Sequence, residues 1–262
     1  MQIHPTAIVS PTAELAEDVA IGPYSIVGPQ VIIGAGTVVG PHVVLDGRTT
    51  IGRRNQIHPF ASIGAPPQDI TYKGEDTGVT IGDENIIREY VSIHRGSPRG
   101  DGLTSVENSN FIMAYAHVAH DCHLGNRVIM ANGATLGGHV LVGDGAVIGG
   151  IVAVHQFVRV GEFSCIGGFS GVRMDIPPYM LAANGAGAEQ ARLFGPNIIG
   201  LRRNGFSHEQ IQALKKCYRI MFRSGLTLKE SIEKSRVEIG PLPEVERLIE
   251  FMSNGSKRGI LR

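Results

Sequence analysis

From Ile3 onward, aliphatic residues recur at every sixth position through most of the chain. The frame is unbroken from Ile3 to Gln68 and resumes at Ile81 as IGDENI IREYVS IHRGSP; after a shift of phase it runs from Val106 to Pro177. Of 26 hexads, 25 open with Ile, Leu or Val and the other with Met130, a regularity that ordinary aliphatic frequencies do not produce. A period of six is the signature of hexapeptide repeats, in which short strands coil into a prism. Three hexads close a rung of roughly 18 residues, and stacking at about 4.8 Å predicts a column about 45 to 50 Å long. The first residue of each hexad is expected to point inward, so that neighbouring rungs bury one another. Thirteen hexads carry Gly second, a place where a corner calls for unusual φ or close backbone approach.

Two segments break the frame, Asp69 to Thr80 and Arg99 to Ser105. Neither fits a closed rung, so both are expected to loop outward, where rigid scaffolds tend to carry binding residues. Pro177-Pro178 ends the repeat because proline cannot donate to a sheet ladder. The chain therefore divides into a β-solenoid over 1–177, a Gly/Ala-rich connector over 178–190 and a helical domain over 191–262. In that last part Ser207 with Gln210 forms a capping box before Ile211, Leu214, Tyr218 and Met221. Thr227 with Glu230 caps a second helix, and Pro243 opens a third with Val245, Leu248, Ile249 and Met252 on one face. These stripes read as packing faces, and the helices would cover the open edge of the last rung.

Net charge is zero, but residues 1–190 carry 10 Lys+Arg against 17 Asp+Glu and residues 191–262 carry 14 against 7. A basic tail on an acidic body points to an anionic partner or to a solvated helix face. Three cysteines without C-x-x-C spacing argue against a disulfide framework or a thiolate metal site. No apolar run of membrane-spanning length and no basic leader occur, so a cytoplasmic protein with no integral membrane segment is expected. Phosphate-loop and dinucleotide fingerprints are missing, and no nucleic-acid partner is expected.

The candidate chemistry lies between Ile112 and Gln156. The hexads holding His120, His139 and His155 are each third in their rung, which predicts that they stack on one side of the prism with His117 at the corner before them. A histidine is the natural base at neutral pH, and a carboxylate accepting its second N–H fixes the tautomer. His120-Asp121 offers both groups, but successive strand residues face opposite ways, so their meeting depends on the corner. No G-x-S-x-G elbow occurs, which favours direct transfer of an acyl group to a deprotonated hydroxyl, with a backbone N–H of Gly137-Gly138 for the oxyanion. Zinc held by the His117 to His123 segment and histidines of purely structural role are the competing readings.

AHVAHDCHLGNR at 116–127, GGHV at 137–140, AVHQF at 153–157, IHRG at 93–96, DIPPY at 175–179 and the terminal RGILR resemble the UDP-N-acetylglucosamine acyltransferase family across the whole chain. That resemblance implies a mainly β fold, a left-handed parallel β-helix with a C-terminal α-helical domain, assembled as a homotrimer with sites between subunits. It implies the first step of lipid A biosynthesis: transfer of a 3-hydroxyacyl chain from acyl carrier protein to the 3-hydroxyl of UDP-N-acetylglucosamine, with no metal or other cofactor. Transfer to a 3-amino sugar nucleotide, or another hexapeptide-repeat acyltransferase, is the alternative. By position, His120 resembles the general base, Asp121 its acidic partner and Gly138 the oxyanion donor. Gln68, Asp69, His117, His139, His155 and Gln156 resemble substrate contacts, Gly168 the position that sets acyl length, and Asn197 and Arg203 the uridine and phosphate contacts. The chain departs from the family pattern at Thr71, Ile199 and Asn204, and its connector over 186–190 is longer than usual. Acyl carrier proteins are acidic, so Lys215, Lys216, Arg219 and Arg223 are candidates for steering them.

Overall fold

The computed structural model describes residues 1–185 and 191–262. Residues 1–177 form a left-handed parallel β-helix whose three sheets hold eleven, nine and eight strands, the largest extended by two strands from beyond the repeat. Most strands are only two residues long: the last residue of one hexad faces out and the first of the next faces in, as at Val44–Leu45 and Thr135–Leu136. Leu45, Ile63, Ile93, Met130 and Leu136 are accordingly fully buried. The fifth place of the hexad is a second inward place that the aliphatic period does not reveal: Ser25, Val43, Asn85, Ala116, Cys122 and Val140 are all buried there.

Stacked partners are 18 residues apart in regular rungs, 30 across the first inserted loop and 25 across the second. Both insertions are thus absorbed at a corner, and the sheets continue in register on either side.

The corners explain the rest of the hexad. The left-handed conformation falls on the fourth place and is taken there mostly by residues with side chains, among them Tyr24, His42, Phe60, Tyr90 and Tyr115 with φ between 56° and 63°. These five rings stack, with centroids 4.8 to 5.1 Å apart. Apart from Gly64, whose φ is 83°, glycine in the second place answers to close approach: a Cβ on Gly22 would sit 2.7 Å from the carbonyl carbon of Gly40, and one on Gly143 2.6 Å from the nitrogen of Glu162.

The segment read as a connector is partly strand. Met180–Asn184 pairs in parallel with Cys165–Ile166, and Ala191–Pro196 returns antiparallel to it. Small residues there suggest a loop by composition, but the open edge of the last rung supplies the pairing partner. Residues 186–190 lie outside the described part of the chain.

Four helices follow: α1 (Ile198–Arg203), α2 (His208–Arg223), α3 (Leu228–Ile239) and α4 (Pro243–Ser253). The capping boxes of α2 and α3 form as expected, and Pro243 occupies the first turn of α4. The short α1 carries too little periodicity to be read from sequence. The chain end returns to the solenoid, where Asp175 and Gly259 bond through their backbones and Leu261 donates to the Asp175 carbonyl. The buried Asp175 carboxylate is met by Arg159 at 2.6 Å.

Candidate active site

His117 opens a two-residue strand of the nine-stranded sheet that ends at Val118, and the chain then turns a corner through Ala119 to Cys122 into the eight-stranded sheet at His123. Asp121 holds the fourth, left-handed place of that corner with φ 57°. The strand alternation that would separate His120 from Asp121 is broken there, and the two side chains meet: His120 Nδ1 lies 2.7 Å from Asp121 Oδ2. With Nδ1–H donated to the carboxylate, Nε2 keeps its lone pair and can act as a base.

Asp121 is almost wholly enclosed. It accepts from the Ser97 N–H at 3.0 and 3.1 Å and from the Ser97 hydroxyl at 2.7 Å, while its own N–H donates to Thr104 Oγ1. Burial alone would raise its pKa, but the bonds from His120 and Ser97 outweigh that and hold it below the usual carboxylate range. Ser97 lies where the chain leaves the coil just before the second insertion, and Thr104 in the strand at its end, so the aliphatic period does not point to them.

One rung on, His139 takes the left-handed place, edge-on to His120 with centroids 5.1 Å apart. The next ring in this column is Phe157, stacked on His139 at 4.4 Å, whereas His155 is exposed and bonds to the Gln156 carbonyl. The expected stack of His120, His139 and His155 is corrected accordingly. Rung neighbours share a place in the hexad, and His155 is second in its hexad where Phe157 is fourth. His117, expected at a corner, lies on a flat strand, its Nδ1 2.7 Å from Ser92 Oγ and its ring edge-on to His94 at 4.8 Å.

Gly138 lies beneath the base. A Cβ on it would come within 2.5 Å of His120 Cε1 and 2.7 Å of Nε2, so only glycine leaves room for the imidazole. Of the two glycines proposed for the oxyanion, Gly137 donates its N–H to the Val154 carbonyl, while that of Gly138 donates to none of the described residues. Of these two, Gly138 is the one whose N–H is free beside His120 among the described residues.

The remaining candidates are spread out. Asp69 is held by the Thr71 N–H and hydroxyl at 2.8 and 2.7 Å, which lower its pKa, and the charges of Arg99 and His120 act in the same direction. Thr71 thus organises the loop carboxylate. Gln68 and Gly168 are exposed, the latter facing only the Gly150 backbone. Asn197 caps α1 and donates to the Phe163 carbonyl, and Arg203 is exposed in the last turn of α1. Neither touches His120 within one chain.

A groove of about 350 Å³ opens between Asp121, His139, Phe157, His123 and Lys257. Lys257 and Arg258 of the chain end lie over the Phe157 ring, and Arg258 bonds the Gln156 carbonyl at 2.8 Å. A larger groove of about 490 Å³ continues under α4 past Leu141, Val160 and Phe251, away from the dyad. The ligand-type atoms of His120, Asp121 and His139 come within 4.8 Å of one another. Three donors already occupy the Asp121 carboxylate, however, which leaves it poorly placed to serve a cation.

A solenoid of hexads with a histidine–carboxylate pair and a free backbone donor at one corner has the make-up of a hexapeptide-repeat transferase. The hexapeptide model of bacterial transferases matches residues 2–47 and 104–138, and the model of UDP-N-acetylglucosamine O-acyltransferase, domain 2, matches residues 175–261. Two proteins named acyl-[acyl-carrier-protein]--UDP-N-acetylglucosamine O-acyltransferase are similar end to end. The one from Syntrophobacter fumaroxidans is 58% identical over 100% of both chains, and that from Thermodesulfovibrio yellowstonii is 56% identical over 100% of this chain and 99% of its own. The solved structure of LpxA from Acinetobacter baumannii superposes with a TM-score of 0.94 at 44% identity, covering 100% of each chain. The chain belongs to the UDP-N-acetylglucosamine O-acyltransferase family.

The buried histidines make stability depend on pH. Burial, then the charges of His117 and His120, drive the His94 pKa down to about 4, and its Nδ1 has no hydrogen-bond partner among the described residues. The folded chain keeps this ring neutral while the unfolded chain takes up a proton from about pH 6.5 downward. Stability should therefore fall as pH drops from about 6.5 toward 4, and level off below for this residue. His94→Phe should make the slope of unfolding free energy against pH shallower by up to one proton. Urea unfolding at a series of pH values measures this, and some slope should persist because burial also lowers the pKa of His117 and His139.

Proposed function

We propose that the chain transfers a 3-hydroxyacyl group from acyl carrier protein to the 3-hydroxyl of UDP-N-acetylglucosamine, the first step of lipid A biosynthesis, by direct attack and without a metal. The observation that carries the mechanism is the 2.7 Å bond from His120 Nδ1 to Asp121, in a chain 58% identical to a protein named for that transfer. His120 Nε2 removes the hydroxyl proton as the oxygen attacks the thioester carbonyl. The Gly138 N–H receives the oxyanion, and Asp121 stabilises the imidazolium. Collapse breaks the C–S bond, and the imidazolium returns its proton to the departing thiolate, giving an ester and a free thiol.

His117, His139, His155, Gln156, Gln68 and Asp69 are the substrate contacts in this reading. Asn197 and Arg203 hold the nucleotide of a site completed by a neighbouring copy, which accords with their distance from His120 in one chain. The enzyme works in the cytoplasm as a homotrimer. Support for association comes from the corner between the eleven- and nine-stranded sheets, where Tyr24, Phe60, Tyr90, Tyr115, Ile151 and Phe169 form an exposed apolar ridge. Isolated chains rarely leave so long a patch in water. Among the basic residues suggested for steering acyl carrier protein, Lys216 is paired with Glu238 and Arg223 with the Tyr218 hydroxyl. That leaves Arg219, which is exposed, and Lys215 as the better candidates. Among the described residues, no helix is long and apolar enough to cross a membrane.

With UDP-N-acetylglucosamine and acyl carrier protein thioesters, His120→Ala should lower kcat by at least about 100-fold. Turnover of the native protein should survive chelator, and near-normal turnover of the variant would remove His120 from the mechanism. Light scattering in dilute buffer should give a particle of three chains, and a stable, active monomer would contradict the shared site. A side chain at Gly168 would project over Gly150 into otherwise open space. With each buried CH₂ contributing about 0.8 kcal/mol, the native protein should favour fourteen- over ten-carbon thioesters, and Gly168→Met should reverse this. Competition between the two thioesters tests the reversal; unchanged selectivity would place the end of the acyl groove elsewhere.

A further inference from the structure

A second histidine–aspartate pair stands two residues beyond the first. His123 Nε2 lies 2.9 Å from Asp101 Oδ2, and His123 Nδ1 lies 2.8 Å from Ser105 Oγ. With Nε2–H donated to the carboxylate, Nδ1 accepts from the Ser105 hydroxyl, so one tautomer satisfies both bonds. Ser105 and His123 are paired neighbours on successive rungs of the eight-stranded sheet and so are fixed in place. Asp101 sits instead in the inserted loop, where its other oxygen accepts from the Leu103 N–H.

That loop also lies on the Asp121 carboxylate. Ser97 supplies two of the donors that hold it, and a Cβ on Gly100, the residue before Asp101, would fall 2.3 Å from Asp121 Cγ. The loop backbone therefore presses directly against the acid of the dyad. The loop backbone is tied to the solenoid at Gly78, whose carbonyl accepts from the Gly96 N–H and whose N–H donates to the Gly102 carbonyl, and between these ties the side-chain bonds are those of Ser97 to Asp121 and of Asp101 to His123.

We propose that Asp101 and His123 form a clasp that holds the loop closed on Asp121, making both of them positioning residues for the His120–Asp121 dyad. This rests on the reading of His120 as the base. Opening the clasp lets Ser97 and Gly100 drift from the carboxylate, and the orientation of His120 loosens with them. Small displacements of a catalytic group can cost up to about 100-fold in rate, so an intermediate loss of about tenfold in kcat is expected here. Substrate contacts are untouched, and KM for both substrates should stay within about twofold.

The side-chain amides offer a test that bulk and stability do not confound. Gln places an N–H near the position of His Nε2 and keeps the bond to Asp101, whereas Asn reaches only the Nδ1 position. His123→Gln should retain near-native kcat, while His123→Asn and Asp101→Ala should each lose about tenfold, and the double variant should be no slower than either single one. All four proteins should melt alike, since Asp101 and His123 are both partly in water. Equal rates for native protein, His123→Asn and Asp101→Ala would overturn the clasp, as would a His123→Gln variant as slow as His123→Asn. Failure of the dyad itself is read separately, as full activity of His120→Ala.

Discussion

Every rung of this protein must turn three corners within about eighteen residues, and the corner conformation governs everything else. Most of these turns put one residue into the left-handed region, which costs a residue with a side chain roughly 1–2 kcal/mol. The chain meets that cost repeatedly with non-glycine residues because the fourth place stacks on itself from rung to rung. Rings lie on rings, and the backbone N–H of each bonds to a carbonyl of the rung before it, as His42 does to Pro23 and His139 to His120. Glycine takes the fourth place at Gly36, Gly133 and Gly145, but it is commonest in the second place, where adjacent backbones nearly touch. The same turn makes the dyad: without φ 57° at Asp121, consecutive side chains would face opposite sides of a strand.

Inside the prism, polar side chains are admitted only where the ladder gives them partners. Asn55, Asn85 and Asn110 occupy the fifth place of successive rungs, and their side-chain carbonyls accept from the backbone N–H of the next rung. Asn85 also donates its amide to Asn55. These bonds span the rungs on either side of both insertions and help keep the coil in register where the chain leaves it. The second loop can then bring Ser97 and Gly100 back onto Asp121 without disturbing the stack.

Much of this was legible in the hexads. The aliphatic first place located the solenoid and its two interruptions, and the caps at Ser207 and Thr227 located α2 and α3. His120-Asp121 stood out as base and acid, although only the corner decides that they meet. The misplacement of His155 has a definite cause: histidines were grouped by hexad, whereas stacking follows the place within the hexad. Read that way, Asp121, His139 and Phe157 align from sequence alone. Ser97, Thr104, Asp101 and Lys257 could not be found by any period, because they reach the site through loop closure or through the return of the chain end. The strand Met180–Asn184 was hidden because its pairing is dictated by the edge it meets and not by its own composition.

The donor proposed for the oxyanion would ask little change of the repeat. Apart from Arg95, beside the second insertion, N–H groups in the third place of a hexad take no part in the backbone ladder among the described residues, which is why proline stands there at positions 5, 11, 23, 29, 41 and 59. Gly138 occupies that same third place, so its unpaired N–H is a regular feature of the coil and needs no local strain. His120 is likewise third in its hexad, one rung earlier, so the base is set against the donor by the rung repeat itself. Glycine at 138 removes the one Cβ that would push the imidazole away. In the proposed mechanism, base and donor are therefore held by a rigid stack before substrate arrives, which leaves little reorganisation for the transfer step.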